Sequence, residues 1–155
     1  MRSKLFVPGS RPELFAKALA GAADALSFDL EDAVAPSRKD EARGHLGRML
    51  AAPEAAASGK TLIVRVNALD SGHFHADVQA VVRPGLHLVN LPKAEREADV
   101  VAAASAVEQA RRANGVDEPV GLLLNIESPR ALRRAARLAA AHPSVAGLEL
   151  GLGGL

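Results

Sequence analysis

The chain has 155 residues, with Lys+Arg 19 against Asp+Glu 18 for a formal charge of +1, no Cys, no Trp, no Tyr and four Phe. This balance argues against an electrostatic nucleic-acid binder, which carries a basic excess, and the absence of Cys excludes thiolate catalysis, disulfides and thiolate-held metals. With 48% hydrophobic and 24% charged residues, the composition is that of an ordinary globular domain, and the length suits a single domain over 1–155.

Short apolar runs rich in Val, Ile, Leu or Phe alternate with longer stretches of helical spacing. The first run, residues 4–7, breaks at Pro8-Gly9 and precedes a predicted helix over 12–20. A second strand is predicted over 25–30 and a helix over 39–50, with Ser37 marking its start. A third strand over 61–66 is followed by a helix over 74–82, and a fourth over 86–91 by a helix over 96–113. The fifth strand, 120–126, leads to Ser128-Pro129, a capping hydroxyl before a Pro at the first helical position, and to a helix over 129–141. A sixth strand covers 145–150. No apolar run approaches the roughly 20 residues needed to span a bilayer. The basic start Met1-Arg2-Ser3-Lys4 is interrupted too early to read as a signal peptide, so the expected location is cytoplasmic, with no membrane partner.

Strands apolar on both faces and alternating with helices imply a parallel sheet covered by helices. A doubly wound open sheet and a (β/α)₈ barrel compete. Length favours the open sheet, since a barrel takes about 250 residues. Against nucleotide binding, the turn Val7-Pro8-Gly9-Ser10-Arg11-Pro12 has neither the G-x-G-x-x-G nor the P-loop spacing. The Gly-dense stretch 147–154 has no helix after it in this sequence.

Polar residues gather where the predicted strands end, the place of active sites in both architectures. Asp29-Leu30-Glu31-Asp32 puts three carboxylates at one strand end; a solvated acidic helix start is the competing explanation. Arg65 lies in Val64-Arg65-Val66-Asn67, flanked by β-branched residues, and needs an anionic partner because an unpaired buried charge is costly. Asn90-Leu91-Pro92-Lys93 and Asn125-Ile126-Glu127-Ser128 close the next two strands. Arg, Lys and Glu at successive strand ends suit a small anionic substrate, with a carboxylate able to hold a hard divalent cation. His73-x-His75 reads better as a surface loop than as a metal site, and Arg130, Arg133, Arg134 and Arg137 as one solvated helical face.

Six ordered motifs now carry a family resemblance. Ser3-Lys4-Leu5-Phe6-Val7-Pro8-Gly9, Asp29-Leu30-Glu31-Asp32-Ala33-Val34, Lys39 with Ala42-Arg43, Val64-Arg65-Val66-Asn67, Leu91-Pro92-Lys93 and Ile126-Glu127-Ser128 resemble, in order and spacing, the citrate lyase beta branch of the HpcH/HpaI aldolase superfamily. The resemblance implies a TIM (β/α)₈-barrel type fold, incomplete here at about six βα units, and reverses the preference drawn from length. It implies a Mg²⁺-dependent carbon–carbon lyase that cleaves a 3-hydroxyacyl-CoA thioester of the citryl-, citramalyl- or malyl-CoA type into acetyl-CoA, or a relative, and a keto acid. Arg65 resembles the arginine that grips the keto acid, and Glu127 one of two Mg²⁺ ligands. Phe6, Pro8 and Gly9, with Lys17 one helix along, resemble the part that contacts coenzyme A, although Glu13 stands where some relatives place a further Lys. Asp29, Glu31 and Asp32 look like a supporting acidic turn that holds Arg65 or Lys93. A homo-oligomer, trimeric in relatives, is the implied assembly.

The sequence also departs from the family. The second Mg²⁺ ligand is an Asp in a Gly-x-x-Asp-Leu pattern, and here Gly151-Leu152-Gly153-Gly154-Leu155 puts Gly154 at that position. The sequence stops there, before the family's last two strands. The expectation is therefore a truncated lyase, impaired in this form; the alternative is a non-catalytic barrel remnant acting as an assembly or ligand-binding subunit.

Overall fold

The structure, a computed structural model, describes residues 1–152. Six strands, β1 (Lys4–Pro8), β2 (Ala25–Asp29), β3 (Thr61–Arg65), β4 (Leu88–Leu91), β5 (Gly121–Ile126) and β6 (Val145–Leu150), form one sheet. All pairs are parallel and the spatial order is the sequence order. A doubly wound sheet reverses its order at a switch point, and no reversal occurs here; the sheet winds one way, as in a barrel. It curls far enough for the Lys4 ammonium of β1 to pair with the Glu149 carboxylate of β6, across the concave face.

Helices α1 (Phe15–Ala20), α2 (Lys39–Ala51), α3 (Pro53–Ala57), α4 (Phe74–Val81), α5 (Glu97–Ala113), α6 (Pro129–Arg133) and α7 (Ala135–Ala140) follow the strands. The main core lies between their apolar stripes and the convex face of the sheet, with Phe28, Leu62, Val64, Leu122 and Leu124 from the strands against Leu46, Phe74, Val78, Val100 and Leu138. The concave face has only a small apolar cluster, Ala25, Ile63 and Leu123 with Leu88. Strand alternation therefore spends one face on stability and leaves the other available for polar residues. At Gly47, an added Cβ would stand 2.8 Å from the Ala80 carbonyl oxygen, so glycine permits α2 and α4 to approach closely.

Most expected elements are present, and the departures have local causes. Residues 53–57 form the additional helix α3, a single Pro-started Ala-rich turn too short to register as a period. The helix expected over 129–141 is two helices, because Arg134 at φ −105° and ψ 6° leaves the helical region. Ser128 does cap α6, its Oγ accepting the Ala131 amide at 3.1 Å. Ser37 does not cap α2: it lies inside a 3₁₀ turn, Pro36–Arg38, and Arg38 takes the cap position. No helix among the described residues is long and apolar enough to cross a membrane.

Candidate active site at the strand ends

Register brings the polar strand ends together. Pro8 is opposite Asp29, Asp29 opposite Arg65, and Arg65 opposite Asn90, so these residues form one row across β1 to β4. Asn125 is opposite Glu149 on β5 and β6. A groove of about 440 Å³ opens at this end of the sheet, lined by Phe6, Asp32, Arg65, Lys93, Glu127 and Glu149 among others.

Arg65 is held at its base. Its Nε and Nη2 donate to the two Asp29 carboxylate oxygens, each at 2.8 Å. The geometry is the bidentate pairing in which a planar guanidinium matches a carboxylate. Asp29 is itself fixed by the Glu31 amide at 2.9 Å and the Ala33 amide at 2.8 Å. Burial opposes ionisation of Asp29, but Arg65 and these two amides outweigh it and hold the carboxyl below its ordinary range. The Asp29 hydrogen bonds in turn keep Arg65 more firmly protonated than a free arginine. Two of five guanidinium N–H groups are thereby used, and among the described residues the other three make no hydrogen bond.

Glu31 and Asp32 face the same guanidinium at 3.5 and 3.9 Å, and Lys93 Nζ lies 3.6 Å from Glu31. Burial and the adjacent Asp32 charge push the Glu31 carboxyl above its ordinary range, against partial relief from Arg65 and Lys93. Lys93 has φ 59°, the left-handed conformation that costs a side-chain-bearing residue about 1–2 kcal/mol. Such strain is retained where the surrounding structure imposes it, and clusters at functional sites.

Under the acidic turn lies a buried polar network. Lys39 Nζ donates to the Leu30 and Glu31 carbonyls at 2.6 and 3.0 Å. Asn67 donates to the Leu30 carbonyl at 3.0 Å, and fully buried Asp77 accepts from the Asn67 amide and side chain and from Arg43 Nε. Asp77 was not among the residues singled out from sequence, since nothing in the α4 pattern distinguishes it from a surface helix acid. Lys39 and Asn67 appeared there only as parts of motifs.

Glu127 lies across the groove, its Oε1 accepting from Asn125 Nδ2 at 2.9 Å. Gly151 packs against it, and a Cβ there would come within 2.6 Å of the Glu127 side chain. Among the described residues no three His, Asp or Glu side chains converge as a metal cluster. The nearby donors are nonetheless hard oxygens, and the buried Asn125 Oδ1 and Glu31 Oε2 have no hydrogen-bond partner among the described residues. A groove lined by Glu127 and other carboxylates, with few further protein oxygens, fits Mg²⁺, which keeps several waters and takes few protein ligands. Gly154 lies outside the described residues.

The other expected contacts divide. Phe6 is exposed in the groove beside Arg65. Gly9 is buried, and its amide donates to the Asp29 carbonyl at 2.8 Å; an added Cβ would stand 2.7 Å from that oxygen, so the turn requires glycine. Lys17 is exposed on α1 and does not line the groove. His73 is turned to Arg43 at 3.1 Å and His75 stacks edge-on against Phe74. Arg130 and Arg134 pair with Glu95 and Glu97.

Comparison with known proteins agrees with this arrangement. Residues 2–153 match the family described as HpcH/HpaI aldolase/citrate lyase. The chain is 41% identical over 152 residues to the citrate lyase subunit beta of Escherichia coli, covering 97% of this chain and 49% of that protein. It is 38% identical to an L-malyl-CoA/beta-methylmalyl-CoA lyase of Cereibacter sphaeroides, with 97% and 48% covered. The Mycobacterium tuberculosis citrate lyase beta subunit, solved with oxaloacetate and magnesium, superposes with a TM-score of 0.76 at 34% identity, covering 98% of this chain and 58% of that one. The same TM-score and identity hold for the M. tuberculosis protein in complex with magnesium, acetoacetate and coenzyme A, at 98% and 49% coverage. This chain thus spans about half the length of the curated relatives it matches. A winding parallel sheet, a carboxylate-held arginine at its strand ends and a family match along nearly the whole chain lead to one assignment: the chain belongs to the HpcH/HpaI aldolase/citrate lyase family.

Proposed function

We propose that this chain carries the keto-acid half of the active site of a Mg²⁺-dependent carbon–carbon lyase acting on a 3-hydroxyacyl-CoA thioester. The observation that carries this reading is Arg65: buried at its base, locked by Asp29 and left with donors at the groove that make no hydrogen bond among the described residues. A preorganised guanidinium is suited to bind a keto-acid carboxylate and to stabilise charge as the substrate hydroxyl carbon becomes a carbonyl. Relatives named as citrate lyase subunit beta and malyl-CoA lyase, and a relative solved with oxaloacetate and magnesium, support the substrate class.

Glu127, hydrogen-bonded by Asn125, is the proposed cation ligand, with Asn125 and solvent supplying further oxygens. When bound, Mg²⁺ polarises the keto-acid carbonyl as a Lewis acid. Lys93, balanced by Glu31, adds a second positive charge on the Arg65 side of the groove. Phe6 offers an apolar wall, and the Pro8-Gly9 turn, with Lys17 farther along, is where the thioester's coenzyme A is proposed to run. A homo-oligomer is the proposed assembly.

The test is calorimetric titration of a keto acid into the folded chain with Mg²⁺, wild type against Arg65→Ala. Loss of binding in the variant is expected. Binding at wild-type strength would refute the role assigned to Arg65.

A further inference from the structure

The concave face holds a charge pair that the reading above does not use. Lys4 of β1 and Glu149 of β6 meet across it, 145 positions apart, with side chains 16% and 27% exposed. Glu149 faces inward because of an irregularity in β6. Leu122 pairs with Val145 but Leu123 pairs with Gly147, so Ala146 is an extra residue. One inserted residue exchanges the two faces of everything after it. Without it, Glu149 would point outward and Leu148 inward.

Glu149 lines the groove with Arg65 and Glu127, whereas Lys4 is not among its lining residues and packs over the Phe6 ring at 4.7 Å. The negative end of the pair is thus the end presented to a ligand. Asn90 and Asn125, both buried, do not reverse this: their side-chain N–H groups turn to Glu149 at 3.4 Å and to Glu127 at 2.9 Å. The cations lining the groove, Arg65 and Lys93, lie on the β3 and β4 side. The β5 and β6 side presents Glu127 and Glu149.

We infer that Glu149, held by Lys4, is a specificity-determining residue that makes the groove select a monocarboxylic 2-keto acid over a dicarboxylic one. This rests on the keto-acid reading proposed above. One carboxylate is satisfied by Arg65 and Lys93, while a second, beside the cation held by Glu127, meets the Glu149 carboxylate, and a like charge without a partner weakens binding. Pyruvate represents the favoured class and oxaloacetate the disfavoured one.

The experiment is calorimetric titration of pyruvate and of oxaloacetate, with Mg²⁺, into wild type, Glu149→Gln and the double variant Lys4→Met/Glu149→Met. The double variant removes both charges, so no buried lysine is left alone, and circular dichroism reports the fold of each protein. Wild type is expected to bind pyruvate at least about tenfold more tightly than oxaloacetate, and both variants to shrink that ratio by about tenfold. Oxaloacetate bound as tightly as pyruvate by wild type overturns the inference, as does a ratio unchanged in the variants. Failure of folded wild type to bind either acid is a distinct outcome: it overturns the keto-acid reading and this inference with it.

Discussion

The two sides of the groove are built on opposite principles. On the β2 and β3 side the ionic groups interlock, although Ser27 Oγ and Glu31 Oε2 have no partner among the described residues: Asp29 takes four hydrogen bonds, Lys39 caps two carbonyls, and Asp77 joins Asn67 to Arg43. On the β4 and β5 side the Asn90 and Asn125 amide oxygens are buried with no partner among the described residues. Buried polar groups are ordinarily satisfied, and exceptions call for a reason such as a ligand or a bound water. The first side is a frame that fixes one guanidinium; the second holds capacity in reserve. Stability and binding should therefore respond to substitution in opposite proportions on the two sides.

The largest effect on stability is expected at Asp77. Asp77→Ala leaves Arg43 Nε and the Asn67 backbone amide buried without the acceptor they have here, a loss of about 3–5 kcal/mol by urea unfolding. A change below about 1 kcal/mol would show that the frame does not depend on this network. Asp29→Asn comes next. It keeps the shape but turns an N–H toward the guanidinium, at a cost of about 2–3 kcal/mol, and should weaken keto-acid binding because Arg65 is no longer fixed. Gly9→Ala is expected to cost about 1–3 kcal/mol, because its Cβ collides with the Asp29 carbonyl and the Leu46 side chain.

Acid titration sharpens the contrast within the acidic turn itself. Asp29 is held below its ordinary range in the folded chain, so it stabilises the fold above the unfolded value of about 4, and that contribution is lost as pH falls through the folded value. Glu31 is held above its range and behaves in the reverse sense: its contribution is present at low pH and lost as pH rises through the folded value. Thermal melts between acid and neutral pH should show a smaller acid-side loss in Asp29→Asn and a flatter neutral-side decline in Glu31→Gln. Identical pH profiles for wild type and both variants would contradict these directions.

Much of the frame was legible in the sequence. Strand ends and the polar residues on them follow from apolar periodicity, and an Arg among β-branched residues announces an anionic partner, here Asp29. Length, by contrast, pointed toward a doubly wound sheet, and it was the ordered motifs that carried the barrel. What periodicity could not show was of another kind. Glu149 reads as an outward residue until the extra Ala146 is known, because register depends on pairing with β5 rather than on β6 alone. Lys4 reads as the solvated start of a strand until the sheet curls and brings β6 opposite it. Asp77 is the single acidic residue of α4 and nothing in the local sequence marks it as buried; only the α2 and β3 ends packed against α4 make it central. Each miss required a long-range contact.

The smallest stability effect and the most direct test fall on the same residue, Glu127. Titrating pyruvate into wild type and Glu127→Gln, with and without Mg²⁺, asks whether the unsatisfied side of the groove binds rather than supports. Expected are unfolding free energies equal within about 1 kcal/mol, Mg²⁺-dependent pyruvate binding by wild type, and loss of that Mg²⁺ dependence in the variant. Pyruvate binding equally strengthened by Mg²⁺ in both proteins would contradict this expectation.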